Sequence, residues 1–309
     1  MSMIRLKPAC KDYLWGGERL REEYHMESDC HPLAEAWVLS CHPDGPSVVD
    51  GGAAAGQTLP EYLAGAGENA LGRSCRAFPE FPILIKLINS QRALSIQVHP
   101  SNDYARREEG QFGKTEAWYV LEAKPDAYLY CGFEGTPSQE EVRTAIQRET
   151  LPEMLHRFPA KKGDLFFIPP GTVHALGPGL VIAEIQQNSN VTYRLYDYGR
   201  LGADGKPRPL HIEKALAVAN RCPAELRQDF GGHLVQCPYF TADILQAPAE
   251  EGCDDSSFVS LLVTDGGGTV SCGEEALRVQ KGDSLFLTAG SGRFRINGDC
   301  QILRTRVDA

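Results

Sequence analysis

Two histidines, a glutamate and a glutamine stand where strand periodicity lets them meet. Leu94-Ser-Ile-Gln-Val-His-Pro alternates strictly, so Ser95, Gln97 and His99 share one face while Leu94, Ile96 and Val98 take the other. In Lys114-Thr-Glu-Ala-Trp-Tyr-Val the same period puts Lys114 and Glu116 on one face. The segment Gly163-Asp-Leu-Phe-Phe-Ile-Pro-Pro-Gly-Thr-Val-His is an apolar strand, a stiff turn and a histidine straight after it. Pro169 and Pro170 lack backbone donors and end the ladder, Gly171 permits the reversal, and His174 opens the next strand on rigid backbone. Imidazole nitrogen plus carboxylate oxygen, without thiolate, suits a catalytic Zn2+ with one position left for water or substrate; Mn2+, Fe2+ or Co2+ would also be accepted. The expected donors are Gln97, His99, Glu116 and His174, with the weaker amide of Gln97 either a ligand or a supporting contact. The other histidines (His25, His31, His42, His156, His211 and His233) read as packed or solvated residues.

The elements that must position these groups are mostly strands. Segments 81–88, 93–98, 116–121, 127–131, 164–168, 180–186 and 191–196 are short and apolar or alternating. Such density predicts a sandwich or barrel. Thr58, Thr136 and Thr150 each precede Glu or Gln by three residues, a capping-box pattern that predicts three helix starts, with Pro137 at the first helical position of the second. The 211–220 stretch fits a fourth helix. The Pro/Arg-rich stretch 204–209 reads as a connection to a second unit with strands at 239–245, 258–264, 268–271, 276–279, 284–287 and 293–303. Gly282–Arg293 repeats the spacing of Gly163–His174, with Thr288 for Pro169, Gly290 for Gly171 and Arg293 for His174. A metal is therefore expected in the first unit alone.

The chain has 309 residues, 42% of them hydrophobic, and a formal net charge of -10. That excludes nucleic acid and anionic membrane as general partners and leaves an anionic substrate only through local Lys or Arg. There is no apolar core of a secretory signal and no run long enough to span a bilayer. Ten cysteines without a C-x-x-C pair suit reduced thiols in the cytoplasm. Nothing here sets the oligomeric state, and a monomer is compatible.

The G-x5-P-x-G-x2-H spacing of 163–174 resembles the second motif of the cupins, small β-barrels that usually hold a metal. With Tyr13-Leu-Trp-Gly-Gly, the strand 94–100, Gly113-Lys-Thr-Glu, Pro170-Gly-Thr-Val-His-Ala-Leu and Gln187-Asn-Ser-Asn-Val-Thr-Tyr-Arg-Leu-Tyr-Asp-Tyr, the chain resembles type I mannose-6-phosphate isomerases of the short bacterial form across roughly residues 5–220. The resemblance implies a mainly β protein of two cupin (jelly-roll) barrels with a few inserted helices. Residues 1–220 would be the metal-binding catalytic unit and 221–309 a degenerate cupin-like unit without metal. It further implies zinc-dependent exchange of mannose 6-phosphate and fructose 6-phosphate, with zinc on Gln97, His99, Glu116 and His174 and the catalytic arginine at Arg194.

The residues make sense of such chemistry. Proton exchange between C1 and C2 passes through an enediolate, which needs electrophilic stabilisation and a tuned base. Arg194 would hold the enediolate or the phosphate. Lys86 lies in an apolar strand and needs a counter-charge, either substrate phosphate or a carboxylate; Ser95 would donate to the same phosphate. Lys114 shares the face of Glu116. Glu184, in apolar Val181-Ile-Ala-Glu-Ile-Gln, is expected to have a raised pKa suited to a base, with Lys114 and a metal-bound hydroxide as rivals. A cupin Fe(II) oxygenase and a sugar-binding or regulatory cupin are the alternatives. A fourth donor at Gln97 argues against the first, and an intact donor set beside Lys114 and Arg194 argues against the second.

Overall fold

The computed structural model describes residues 3–202 and 205–308, so the Asp204 end of the expected connection lies outside the described residues. The structure is mainly β, in three antiparallel sheets. A six-stranded sheet runs in the order Leu165–Ile168, Glu116–Ala123, Leu180–Gln187, Ile83–Ser90, Glu35–Leu39 and Ala9–Lys11. A five-stranded sheet runs Tyr193–Tyr196, Ile96–Val98, His174–Leu176, Tyr128–Phe133 and Leu155–Pro159. These two bury Ile88, Val120 and Ile182 of the first against Leu129, Cys131 and Leu176 of the second. Among the described residues no ladder joins them, so the unit is an open jelly-roll sandwich rather than a closed barrel.

The third sheet has nine strands, among them Thr241–Gln246, Val259–Cys272, Ser284–Leu287 and Gly292–Arg306. It also takes Met3–Lys7 and Val48–Val49 from the other end of the chain, with Ile4 opposite Phe286 and Leu6 opposite Val49. One core joins it to the back of the six-stranded sheet: Ile85, Leu87, Ala183 and Ile185 meet Ile4, Leu6, Phe258 and Phe286. The six-stranded sheet is thus the middle layer. That explains why Ile83–Ser90 and Leu180–Gln187 are buried at every position and read as continuous apolar runs.

The strands at Met3–Lys7, Glu35–Leu39 and Val48–Val49 precede the region where strand signals dominate, and they are additions to the expectation. Thr58 caps its helix as expected, accepting from Glu61 N while Glu61 accepts from Thr58 N. The second cap moves: Ser138, not Thr136, begins the helix Gln139–Gln147, so Pro137 lies outside it. Both positions offer a capping pattern, and the carboxylate of Glu141, which accepts from Ser138 N at 2.7 Å, outcompetes the neutral amide of Gln139. Thr150 makes no side-chain cap, because it precedes only a single turn, Leu151–Met154, that runs directly into a strand. In the repeat of the turn motif, Arg293 is exposed and pairs with Glu250. None of the ten cysteines forms a disulfide.

Phe81, Phe258 and Phe286 stack in series at 5.2 Å ring spacing, linking the first sandwich to the nine-stranded sheet. Replacing buried Phe258 with Ala should cost about 3–5 kcal/mol. Urea unfolding followed by circular dichroism and by tryptophan fluorescence should still give one coincident transition, whereas two separated transitions would show that the shared core does not couple the layers.

Candidate metal centre and substrate pocket

Register places the functional side chains in two facing rows. Across the six-stranded sheet, Phe166, Trp118, Glu184, Lys86 and Trp37 lie opposite one another in succession. Across the five-stranded sheet the succession is Arg194, Gln97, His174 and Cys131. Period 2 then adds His99 and Ser95 on either side of Gln97, and Glu116 below Trp118.

Backbone contacts hold the ligand-bearing segments to each other. Gly171 N donates to the carbonyl of His99 at 2.9 Å, and Lys114 N donates to that of Pro100 at 3.1 Å. Gly113 packs so closely that a Cβ would stand 2.4 Å from the carbonyl carbon of Ser101. Its N–H donates to Asn102 Oδ1, which also accepts from Gln187 Nε2. The site is thus pinned at its strand ends by backbone rather than by long side chains.

His99, Glu116 and His174 offer donor atoms all within 4.8 Å of one another. His99 Nδ1 lies 2.8 Å from the carbonyl of Val191, and His174 Nδ1 2.8 Å from that of Thr172. Each carbonyl requires a donor, which fixes the proton on Nδ1 and leaves Nε2 bare toward the site. Burial, then the charge of Lys114, holds His99 well below its ordinary pKa. Burial likewise lowers His174 to about 4, against the bond to Thr172. Both rings are therefore neutral at pH 7. Glu116 is fully buried; Lys114 Nζ pairs with one of its oxygens at 2.6 Å, and neither oxygen has a well-aligned hydrogen-bond donor among the described residues. A buried carboxylate with two orphaned oxygens beside two bare imidazole nitrogens fits a divalent cation. Gln97 lies beside the group, its amide nitrogen 3.5 Å from His174 Nε2. A half-turn of that amide exchanges nitrogen for oxygen.

Beside the donors runs a line of alternating buried charges. Glu35 lies 3.7 Å from Lys86, Lys86 3.1 Å from Glu184, Glu184 3.5 Å from Lys114, and Lys114 2.6 Å from Glu116. Trp37 Nε1 orients Glu35 at 2.7 Å, and its ring lies 5.1 Å under Lys86 Nζ. Burial opposes the charge of Lys86, but Glu184 and Glu35 outweigh it and raise the pKa. The expected raised pKa of Glu184 is overturned. Burial would lift it, but Lys114, Lys86 and the Trp118 indole at 2.8 Å together pull the carboxyl well below its usual range. The strand looked apolar because its cationic partners come from neighbouring strands.

The pocket above this line has a volume of about 240 Å3 and is lined by Lys86, Ser95, Gln97, Lys114, Glu184 and Arg194. Arg194 Nε donates to Ser95 Oγ at 3.2 Å and Nη1 to the carbonyl of Pro209 at 3.0 Å. Every residue expected at the site therefore borders the pocket or the donor cluster. Glu35 was missed, although a lone carboxylate in apolar Glu35–Leu39 carries the same signal as Lys86 in its strand. Trp118 and Tyr13 lay inside quoted motifs without a role. Arg208 was missed because it sits in a loop with no periodicity.

Such a site, two bare imidazoles and an orphaned carboxylate inside a jelly-roll sandwich, defines a metal-binding cupin. Residues 3–129 match the model of phosphomannose isomerase type I, catalytic domain, and residues 232–307 that of the mannose-6-phosphate isomerase cupin domain. The chain is 37% identical over 299 residues to the mannose-6-phosphate isomerase of Streptococcus mutans serotype c, covering 94% of this chain and 93% of that protein. It is 34% identical over 310 residues to a mannose-6-phosphate isomerase of Bacillus subtilis, covering 94% and 95%. The crystal structure of mannose 6-phosphate isomerase from Bacillus subtilis superposes with a TM-score of 0.89 at 33% identity over 99% of each chain. The chain belongs to the type I phosphomannose isomerase family.

Burial, the dominant influence, lifts the pKa of Glu116 to about 7 against the pull of Lys114. Above that pH the carboxylate is bare for a metal; below it a proton must first be displaced. Metal affinity measured by titration should therefore fall as pH drops from about 8 to 6. His174→Ala should reduce bound metal, measured by elemental analysis, from about one ion per chain to near none. Retention of a full complement would remove His174 from the site.

Proposed function

We infer that this chain is an aldose–ketose isomerase that interconverts mannose 6-phosphate and fructose 6-phosphate, with Zn2+ held by Gln97, His99, Glu116 and His174. The observation that carries the reading is the orphaned Glu116 carboxylate between two bare imidazole nitrogens, at the floor of a pocket whose rim is arginine. A divalent ion bound there supplies Lewis-acid polarisation of the C1 and C2 oxygens. Mn2+, Fe2+ or Co2+ would substitute, since the donor set selects weakly among them.

The chain's own groups do the rest. Lys114 Nζ, beside both Glu116 and Glu184, is placed to exchange protons with the oxygens of the reacting carbons. Glu184 stays ionised and orients the Lys114 ammonium for that exchange. Lys86, engaged by Glu35 and Glu184, binds substrate at the wall while fixing the Glu184 carboxylate. Ser95 contacts substrate and steadies Arg194, whose permanent charge stabilises the enediolate. Trp118 and Trp15 keep water out of the closed end. Residues 1–220 form the catalytic unit, and 221–309 a cupin-like unit that buries the back of the six-stranded sheet. The absence of a helix long and apolar enough to cross a membrane among the described residues and the metabolic substrate favour the cytoplasm.

Turnover should be lost on chelation and restored by Zn2+, in a coupled assay of fructose 6-phosphate formation run without oxygen. A requirement for O2 would favour the oxygenase reading. Arg194→Ala should keep its metal while kcat falls by about 10^2-fold or more; a fully active Arg194→Ala enzyme would refute that role.

A further inference from the structure

The pocket is electrically two-ended. At its floor three carboxylates, Glu35, Glu184 and Glu116, face two ammonium groups, and both lysines are already paired. At its rim three guanidiniums, Arg194, Arg200 and Arg208, surround the single carboxylate of Asp197. A dianion therefore meets net attraction above, while below it finds both ammonium groups already paired. The reacting carbons and the phosphate stand at opposite ends of a hexose 6-phosphate, so the reacting end belongs at the donor cluster and the phosphate at the rim.

The three arginines are not equivalent. Arg200 is fully engaged: it donates to the carbonyl of Ala93 and to both the carbonyl and carboxylate of Asp197. Arg208 donates through Nε at 2.8 Å and Nη2 at 2.6 Å to Asp197, while its Nη1 has no hydrogen-bond partner among the described residues. Arg194 likewise engages Nε and Nη1 and leaves Nη2 open. The Arg194 and Arg208 side chains line the cavity. Arg194 is destabilised as a cation first by burial and next by Arg208, a like-charge contact that Asp197 offsets only in part. The 205–209 segment is firmly seated: Pro207 bridges to Leu201, and the carbonyl of Pro209 accepts from Arg194. Asp197 thus holds the Nε–Nη2 fork of Arg208 in place and leaves Nη1 to meet an anion.

We propose that Arg208 receives the phosphate of the substrate, leaving Arg194 to the enediolate, and so sets the requirement for a phosphorylated rather than a free hexose. This rests on the isomerase reading of the same pocket. The test is Arg208→Ala and Arg208→Lys in the full-length metal-loaded protein. Binding of inorganic phosphate is followed by calorimetry, and turnover of mannose 6-phosphate by steady-state kinetics. For Arg208→Ala the phosphate Kd and the KM should both rise by about 10- to 100-fold while kcat falls far less and metal content stays unchanged. Arg208→Lys, which keeps charge but not the fork, should recover part of the loss and covers the case in which the alanine variant does not fold. Unchanged phosphate Kd in both variants would overturn the proposal, as would a fall in kcat with phosphate binding intact, since Arg208 would then act only by propping Arg194. If the unaltered protein binds phosphate through Arg208 but turns over no mannose 6-phosphate, the isomerase reading fails and the anion site stands.

Discussion

A carboxylate with no access to water and no hydrogen bond is costly to fold around. Glu116 is that group, and the site is arranged about it. Its neighbours are two imidazoles kept neutral by burial and one ammonium that pairs with it at 2.6 Å. The ammonium is in turn shared with Glu184, and so on outward through Lys86 to Glu35 and Trp37. Each charge in the line is satisfied by the next, so removing one member exposes another. The line ends at an indole, where the charge is finally spread over an aromatic face and a nitrogen donor.

Holding such a line requires that strands not slip, since a one-residue shift turns every inward group outward. The middle position of the six-stranded sheet supplies that constraint. Apolar residues on its back pack against the nine-stranded sheet, and the charged row on its front faces the donors. Burial on the side away from the chemistry thus secures the register. The tie between Gly171 and His99 and the close seat of Gly113 against Ser101 and Asn102 then fix how the two sheets meet.

The strand faces were legible in the sequence because alternation is a local property: Ser95, Gln97 and His99 needed only their own neighbours to be assigned a common side. The turn before His174 was legible because proline and glycine act through their own backbone. What escaped was whatever depended on pairing between distant strands. Glu184 looked like a carboxyl in apolar surroundings until Lys86 and Trp118 were found directly opposite it on flanking strands. Closure of the barrel failed for the same reason, since the missing ladder is a matter of which edges meet. Ser138 displaced Thr136 because two overlapping caps compete and only their energies, not their patterns, differ. Arg208 carried no pattern at all; its place comes from the path of a loop whose neighbours are Asp197 and Arg194.

Met3–Lys7 lies between Val48–Val49 and Ser284–Leu287, so a strand made early completes its pairing only with one made much later. Until residues near 287 emerge, the back of the middle sheet lacks Phe258 and Phe286 from its cover, and part of its apolar surface remains open to other chains. Synthesis of the stretch around residues 258–287 is therefore when that surface closes.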